Sequence, residues 1–293
     1  MNKLSSLTLS LVLLVWFGSC KNPEKTENKE GFSVEEETIP AQELRKIFYN
    51  MYLPDEMSRL FERVGANYDS DITNSPDNFS RYSDNNRIAV SIGIYGVDLS
   101  YSRLFEQNLA VANYLSTIKL LTDKLGIPGA RVDNLYQRIE NNISNQDSVA
   151  QITTMLYTKT DNYLKEQGLD SHAALVVMGG WIEALYIACK ILEANSNNME
   201  IMDRIAEQKY SLNSLLTMLN NYQDDIFVAE NILMLKKLKR VFDKFDIYHS
   251  QENFSLDTVN KTITTTGYES SLTPEIATEI SHVISDIRTI LIL

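Results

Sequence analysis

Glycine and proline are scarce in this 293-residue chain, 11 and 6 respectively, and several of them fall between segments of helical periodicity. An all-β chain needs these residues often, because each tight reversal asks for a positive or fixed φ. The chain therefore reads as a series of long helices. The connections between them are short, which favours antiparallel neighbours. The expected fold is all-α: a compact multi-helix bundle of mostly antiparallel helices.

Apolar spacing places the elements. Thr38 and Pro40 open a helix that runs to about Met51, and Pro54-Asp55-Glu56 opens another that ends near Gly65. Segment 66–85, rich in Asn, Asp and Ser, has no period and reads as a loop. From Asn86 to Leu125 apolar residues recur at three and four, with Gly126-Ile127-Pro128-Gly129 as the stop. Helices follow at about 131–143 and 146–166, the second stopped by Gly168. Asp170-Ser171 is expected to cap a strongly apolar helix to about Ala194, followed by helices at 198–220 and 225–248. The Thr- and Ser-rich segment 251–273 reads as a loop or a short hairpin. Thr273-Pro274-Glu275 opens the last helix, which carries Ile276, Ile280, Val283, Ile284, Ile287 and Leu291 on one face. There is no 34-residue helical repeat and no glycine-rich phosphate loop.

The N-terminus carries an address. Lys3 precedes an apolar run from Leu7 to Phe17, which ends in Gly18-Ser19-Cys20. A membrane-spanning helix needs roughly 20 apolar residues, so this shorter run reads as a signal peptide. Phe17-Gly18-Ser19-Cys20 looks like a lipobox, with Phe17 where Leu, Val or Ile is usual. The expected organisation is a signal peptide over 1–19, a lipidated Cys20 with a flexible acidic tether over 20–38, and a helical domain over 39–293. Acyl chains on Cys20 at ~0.8 kcal/mol per buried methylene would hold the chain durably in a membrane. No Asp follows Cys20 to suggest the inner-membrane retention known in some enteric bacteria. The expected place is thus the cell envelope at an outer membrane, on its periplasmic face or at the cell surface.

The formal charge is −12, and one unit more negative once Lys3 is removed. Such a surface repels phosphate backbones, so nucleic acid is a poor candidate partner and none is expected. With Cys20 acylated, Cys189 is the one remaining cysteine, so the mature chain can form no internal disulfide. Cys189 sits in an apolar run and reads as a small buried hydrophobe.

His172, His249 and His282 are far apart, and none lies in a His-Glu-x-x-His or Glu-x-x-His arrangement. No Gly-x-Ser-x-Gly elbow occurs. No catalytic residue, metal ligand or cofactor site is therefore assigned from motifs. Two segments stand out: Ile92-Gly-Ile-Tyr-Gly-Val-Asp-Leu-Ser-Tyr101 and Val176-Val-Met-Gly-Gly-Trp-Ile-Glu-Ala-Leu-Tyr186. Both place glycines inside helical periodicity, at roughly 1 kcal/mol each relative to alanine. Ala89, Gly93, Gly96 and Ser100 form one small-residue stripe, and Gly180, Ala184 and Ala188 another, so the two helices are expected to cross in contact. Each helix also sets a carboxylate in an apolar face. Asp98 is flanked by Ile94, Tyr101 and Phe105, and Glu183 by Val176, Gly179, Tyr186 and Ile187. Two readings stay open. In one the region is tight packing, with each carboxylate held by a tyrosine hydroxyl, an arginine or a backbone cap. In the other it is a ligand pocket walled by Tyr95, Tyr101, Trp181 and Tyr186.

The stretch Gly93–Tyr101, with the helix ending Leu120-Leu-Thr-Asp-Lys-Leu-Gly-Ile127, resembles a group of uncharacterised lipoproteins of Bacteroidetes bacteria, and the Gly-Gly-Trp-Ile-Glu string is similar to a second patch of that group. The resemblance covers about 84–127 and 176–192. It implies an envelope lipoprotein with a helical fold, and carries no activity or catalytic residue. The function expected is a membrane-anchored, non-enzymatic binding or interaction module with a protein or small-molecule partner. The alternatives are a helical-pocket enzyme using Asp98 and Glu183 as acid and base, since separated pKa values let two carboxylates divide those roles, and a purely structural envelope protein.

Overall fold

The computed structural model describes Leu60 and residues 63–195, 198–249, 254–257, 262–265 and 268–293. The expected signal peptide, the expected tether and the helix expected from Thr38 lie outside the described residues. Of the second expected helix, Leu60, Arg63 and Val64 are helical, and Gly65 follows at φ +65°.

The described chain is an all-α bundle. After the helical residues Leu60, Arg63 and Val64 come α1 (Asn85–Leu104), α2 (Asn108–Lys124), α3 (Gly129–Asn141), α4 (Gln146–Glu166), α5 (Asp170–Ala194), α6 (Met199–Asn220), α7 (Ile226–Phe242) and α8 (Pro274–Ile292). Local chemistry sets most ends. Asp84 and Asp225 cap α1 and α7 by accepting from backbone N–H groups of the first turn, and Thr273 with Pro274 opens α8. The expected side-chain cap of α5 is absent: Leu169 is its N-cap residue, and Asp170 lies in the first turn.

Helices α2 and α4 end in Schellman turns. Ile127 N–H donates to Thr122 O at 3.0 Å and Leu169 N–H to Leu164 O at 2.8 Å, with Gly126 and Gly168 in the left-handed region. The single long helix expected over 86–125 is in fact two, because α1 ends in the same geometry: Gln107 N–H donates to Ser102 O at 2.9 Å. Here Glu106 takes the left-handed position, at φ 57°. A non-glycine residue there costs about 1–2 kcal/mol, and no glycine marks the break in the sequence.

Segment 66–84 contains two short 3-10 turns, Ser70–Ile72 and Pro76–Arg81, where a loop was expected. The helix expected to reach 248 stops at Phe242. Beyond it, β1 (Ile247–His249) pairs antiparallel with β4 (Tyr268–Ser270), and β2 (Phe254–Asp257) pairs antiparallel with β3 (Thr262–Thr265). The hairpin reading of 251–273 is thus the right one of the two.

α5 is the central element and touches α1, α4, α6 and α8. Among the described residues it alone is long and apolar enough to cross a membrane, yet most of it is buried in the bundle. A helix apolar on all sides is a core helix when other helices surround it. Its most extensive contact is with α1, and the two run parallel. Near their starts Asn86 donates to Asp225, and the Asp225 charge reaches His172. Further along both, Asp98 meets Glu183. Neither helix follows the other in sequence, so the antiparallel rule for short connections does not bind them.

Candidate functional site

The α1–α5 crossing is built on glycine. A Cβ on Gly93 would stand 2.6 Å from the Gly180 backbone nitrogen and clash with the Val176 carbonyl. One on Gly179 would stand 2.9 Å from the Val90 carbonyl carbon. The expected contact between these helices is therefore present, but the stripe on α1 is split. Gly96 faces α4, where the Tyr157 hydroxyl fills the space of its missing Cβ.

This close approach brings the two carboxyl-bearing faces together. Asp98 and Glu183 are both fully buried, and they are near enough that Glu183, after burial itself, raises the Asp98 pKa. Arg288 of α8 completes the group: its Nε and Nη2 each donate to Glu183 at 2.7 Å. This bidentate fork is the strongest arrangement open to an arginine and a carboxylate. The guanidinium lies 4.1 Å from the ring centre of half-buried Tyr186, a cation–π contact. Burial opposes the charge of Arg288, but Glu183 more than offsets it and raises its pKa.

The rest of the group faces segment 66–84, which we call the strap. Asn74 N–H donates to Asp98 Oδ2 at 3.2 Å, and Arg288 Nη2 donates to Ile72 O at 3.2 Å. The Tyr95 hydroxyl donates to Ser75 O at 2.8 Å, and the Tyr114 hydroxyl to Thr73 Oγ1 at 2.8 Å. Asp69 N–H donates to the Tyr101 hydroxyl at 3.0 Å, while the Tyr68 and Tyr101 rings stack with centres 5.3 Å apart. Asn74 Nδ2 donates to the Tyr82 hydroxyl at 3.0 Å. An irregular segment cannot satisfy its own backbone, so partners must come from elsewhere. Here three residues of one patch, Tyr95, Asp98 and Tyr101, supply much of that need.

The candidate residues are thus brought together, but as a closed polar core. Tyr95, Gly96, Tyr101, Gly179, Gly180 and Trp181 are buried with the carboxyls, and Tyr186 covers the arginine. Burial raises the Tyr95 hydroxyl pKa far above its ordinary value, with Tyr82 and Asp98 adding to the effect, and pushes Tyr101 up to about 12. Both hydroxyls stay neutral donors and acceptors. No cluster of metal-ligating side chains occurs among the described residues.

Sequence reasoning did not single out Arg288, Asn74, Tyr82 or Tyr114. A signal existed for Arg288, which sits between Ile284 and Leu291 at spacings of four and three on the buried face of α8. A second concave feature lies apart from this group. A cavity of about 260 Å³ between α5, α6 and α8 is lined in part by Cys189, Glu193, Met202 and Ser281. Cys189 is fully buried there, and burial raises its thiol pKa. Ser281 donates to Glu193, and Lys190 Nζ donates to the other oxygen of Glu193 at 2.8 Å. No known family, curated protein or solved structure matches the chain.

Proposed function

We propose that the chain is a membrane-anchored cell-envelope lipoprotein whose helical domain is a non-enzymatic binding or interaction module. The observation that carries this reading is Phe17-Gly18-Ser19-Cys20 placed directly after a short apolar run and before a charged, polar tether. An outer-membrane position, periplasmic or surface-facing, is supported by the Lys21-Asn22 that follows Cys20. The partner besides the membrane is a protein or a small molecule.

The geometry favours structural work for Asp98 and Glu183 over acid–base chemistry. A general base must come within hydrogen-bond reach of a substrate proton. Both carboxyls are sealed, one by the strap and the other by Arg288. Radiolabelled palmitate fed to expressing cells tests the anchor. Incorporation into the wild type and its loss in Cys20→Ser is the expected result. Label retained in the variant, or absent from the wild type, overturns the reading.

A further inference from the structure

We propose that the Asp98–Glu183 pair is a proton-binding latch: the folded chain holds one proton between these two carboxyls, and losing it frees the strap from α1. Two carboxyls lie fully buried in one group, Arg288 forks onto Glu183, and adjoining strap residues bind Arg288 and Asp98. Tyrosines surround the group: Tyr95 from α1 and Tyr114 from α2 feel the Asp98 charge, Tyr186 from α5 lies on Arg288, and Tyr82 from the strap acts on Tyr95. Burial raises the pKa values of Tyr95 and Tyr114, which keeps both neutral. One proton on the pair makes the group electrically neutral. Without it, an uncompensated charge is buried, which is costly.

Hydrogen bonding points the same way. Glu183 accepts two bonds from Arg288, so both of its oxygens are engaged by a cation. Asp98 accepts from Asn74 N–H through Oδ2, while its buried Oδ1 receives no donor. A proton on Asp98 lets it donate to Glu183 and keep the Asn74 bond, so the pair is satisfied. Burial first, and then the Glu183 carboxylate, raise the Asp98 pKa well above its ordinary value; Arg288 and the Asn74 N–H act against this without prevailing. When the proton leaves, the side that can yield is the strap side. Glu183 is clamped between two helices, whereas Asn74 belongs to an irregular segment that can swing away and admit water.

The sign of the pH dependence follows. The folded chain binds this proton more tightly than the unfolded chain, so stability is fully present below the ordinary Asp range. It falls as pH rises above that range and levels off beyond the folded-state pKa. Asp98→Asn imitates the protonated form: its amide donates to Glu183 and its carbonyl accepts from Asn74.

The test uses the full chain in detergent micelles, as wild type and as Asp98→Asn, between about pH 5 and 9. The wild type is expected to show the infrared carbonyl band of a buried protonated carboxyl at the low end, fading as pH rises. Its urea midpoint falls over the same range, and Asn74 amide exchange relative to Asp98→Asn speeds up by about tenfold per pH unit past the latch pKa. In Asp98→Asn that band is missing, and the midpoint loses this fall. A wild type without the band at the low end, or the same midpoint slope in both proteins, overturns the proposal. The infrared titration is decisive on the wild type alone if the variant fails to fold.

Discussion

Arg288→Met is the most informative single perturbation of this core. The arginine makes two 2.7 Å bonds to a fully buried carboxylate and is itself only 7 % exposed. Removing one partner of a buried pair costs about 3–5 kcal/mol, because the other charge stays buried. The bond to Ile72 O adds about 1 kcal/mol, and the contact with Tyr186 about 0.5–2 kcal/mol. These terms belong to one side chain and do not add in full. We expect a net loss of about 4 kcal/mol at neutral pH, a large share of the roughly 5–15 kcal/mol that holds a domain together. The double variant Glu183→Leu/Arg288→Met removes both charges and should lie within about 2 kcal/mol of wild type, since apolar replacement of a buried pair is often neutral. Urea unfolding followed by Trp181 fluorescence measures both, with m as the check on two-state behaviour. Trp181 is the single tryptophan after Cys20, and it is fully buried. A loss below about 1 kcal/mol in Arg288→Met, or a double variant weaker than the single, would refute the reasoning.

The remaining stability prediction concerns the helix crossing. Gly93→Ala and Gly179→Ala should each lower stability by about 1–3 kcal/mol, because the new methyl meets backbone of the facing helix. Alanine is the better helix former by about 1 kcal/mol, so thermal melts that rise instead would place these glycines off the crossing. Gly96→Ala meets the tip of the Tyr157 side chain and should cost less than either.

Much of the fold was legible in the sequence, and the failures have physical causes. Periodicity and Pro-Gly punctuation located the end of α2, and α3 through α8, to within a few residues at most ends, because each boundary there is written locally. The α1–α2 break was hidden because Glu106 takes a left-handed position that glycine usually marks. The strap was invisible as an ordered element because its hydrogen bonds go to residues far away in sequence, such as Arg288 for Ile72. The two patches were correctly picked out as a pair that meets. Their chemistry was harder to read, since tight packing and a ligand pocket both fit a carboxylate set in an apolar face. What decides it is Arg288, far away in sequence on α8, which closes the group over Glu183.

The hydrogen bonds from α1 are expected to hold the strap as firmly as the helices hold one another. Native-state hydrogen exchange at the Asp69 and Asn74 amides tests it most directly, at about pH 5, where the pair keeps its proton. Both amides donate to side chains of α1, Tyr101 and Asp98. The prediction is that they open only with global unfolding, alongside the interior amides of α1 and α5. Exchange at the rate of an ordinary exposed loop would contradict it.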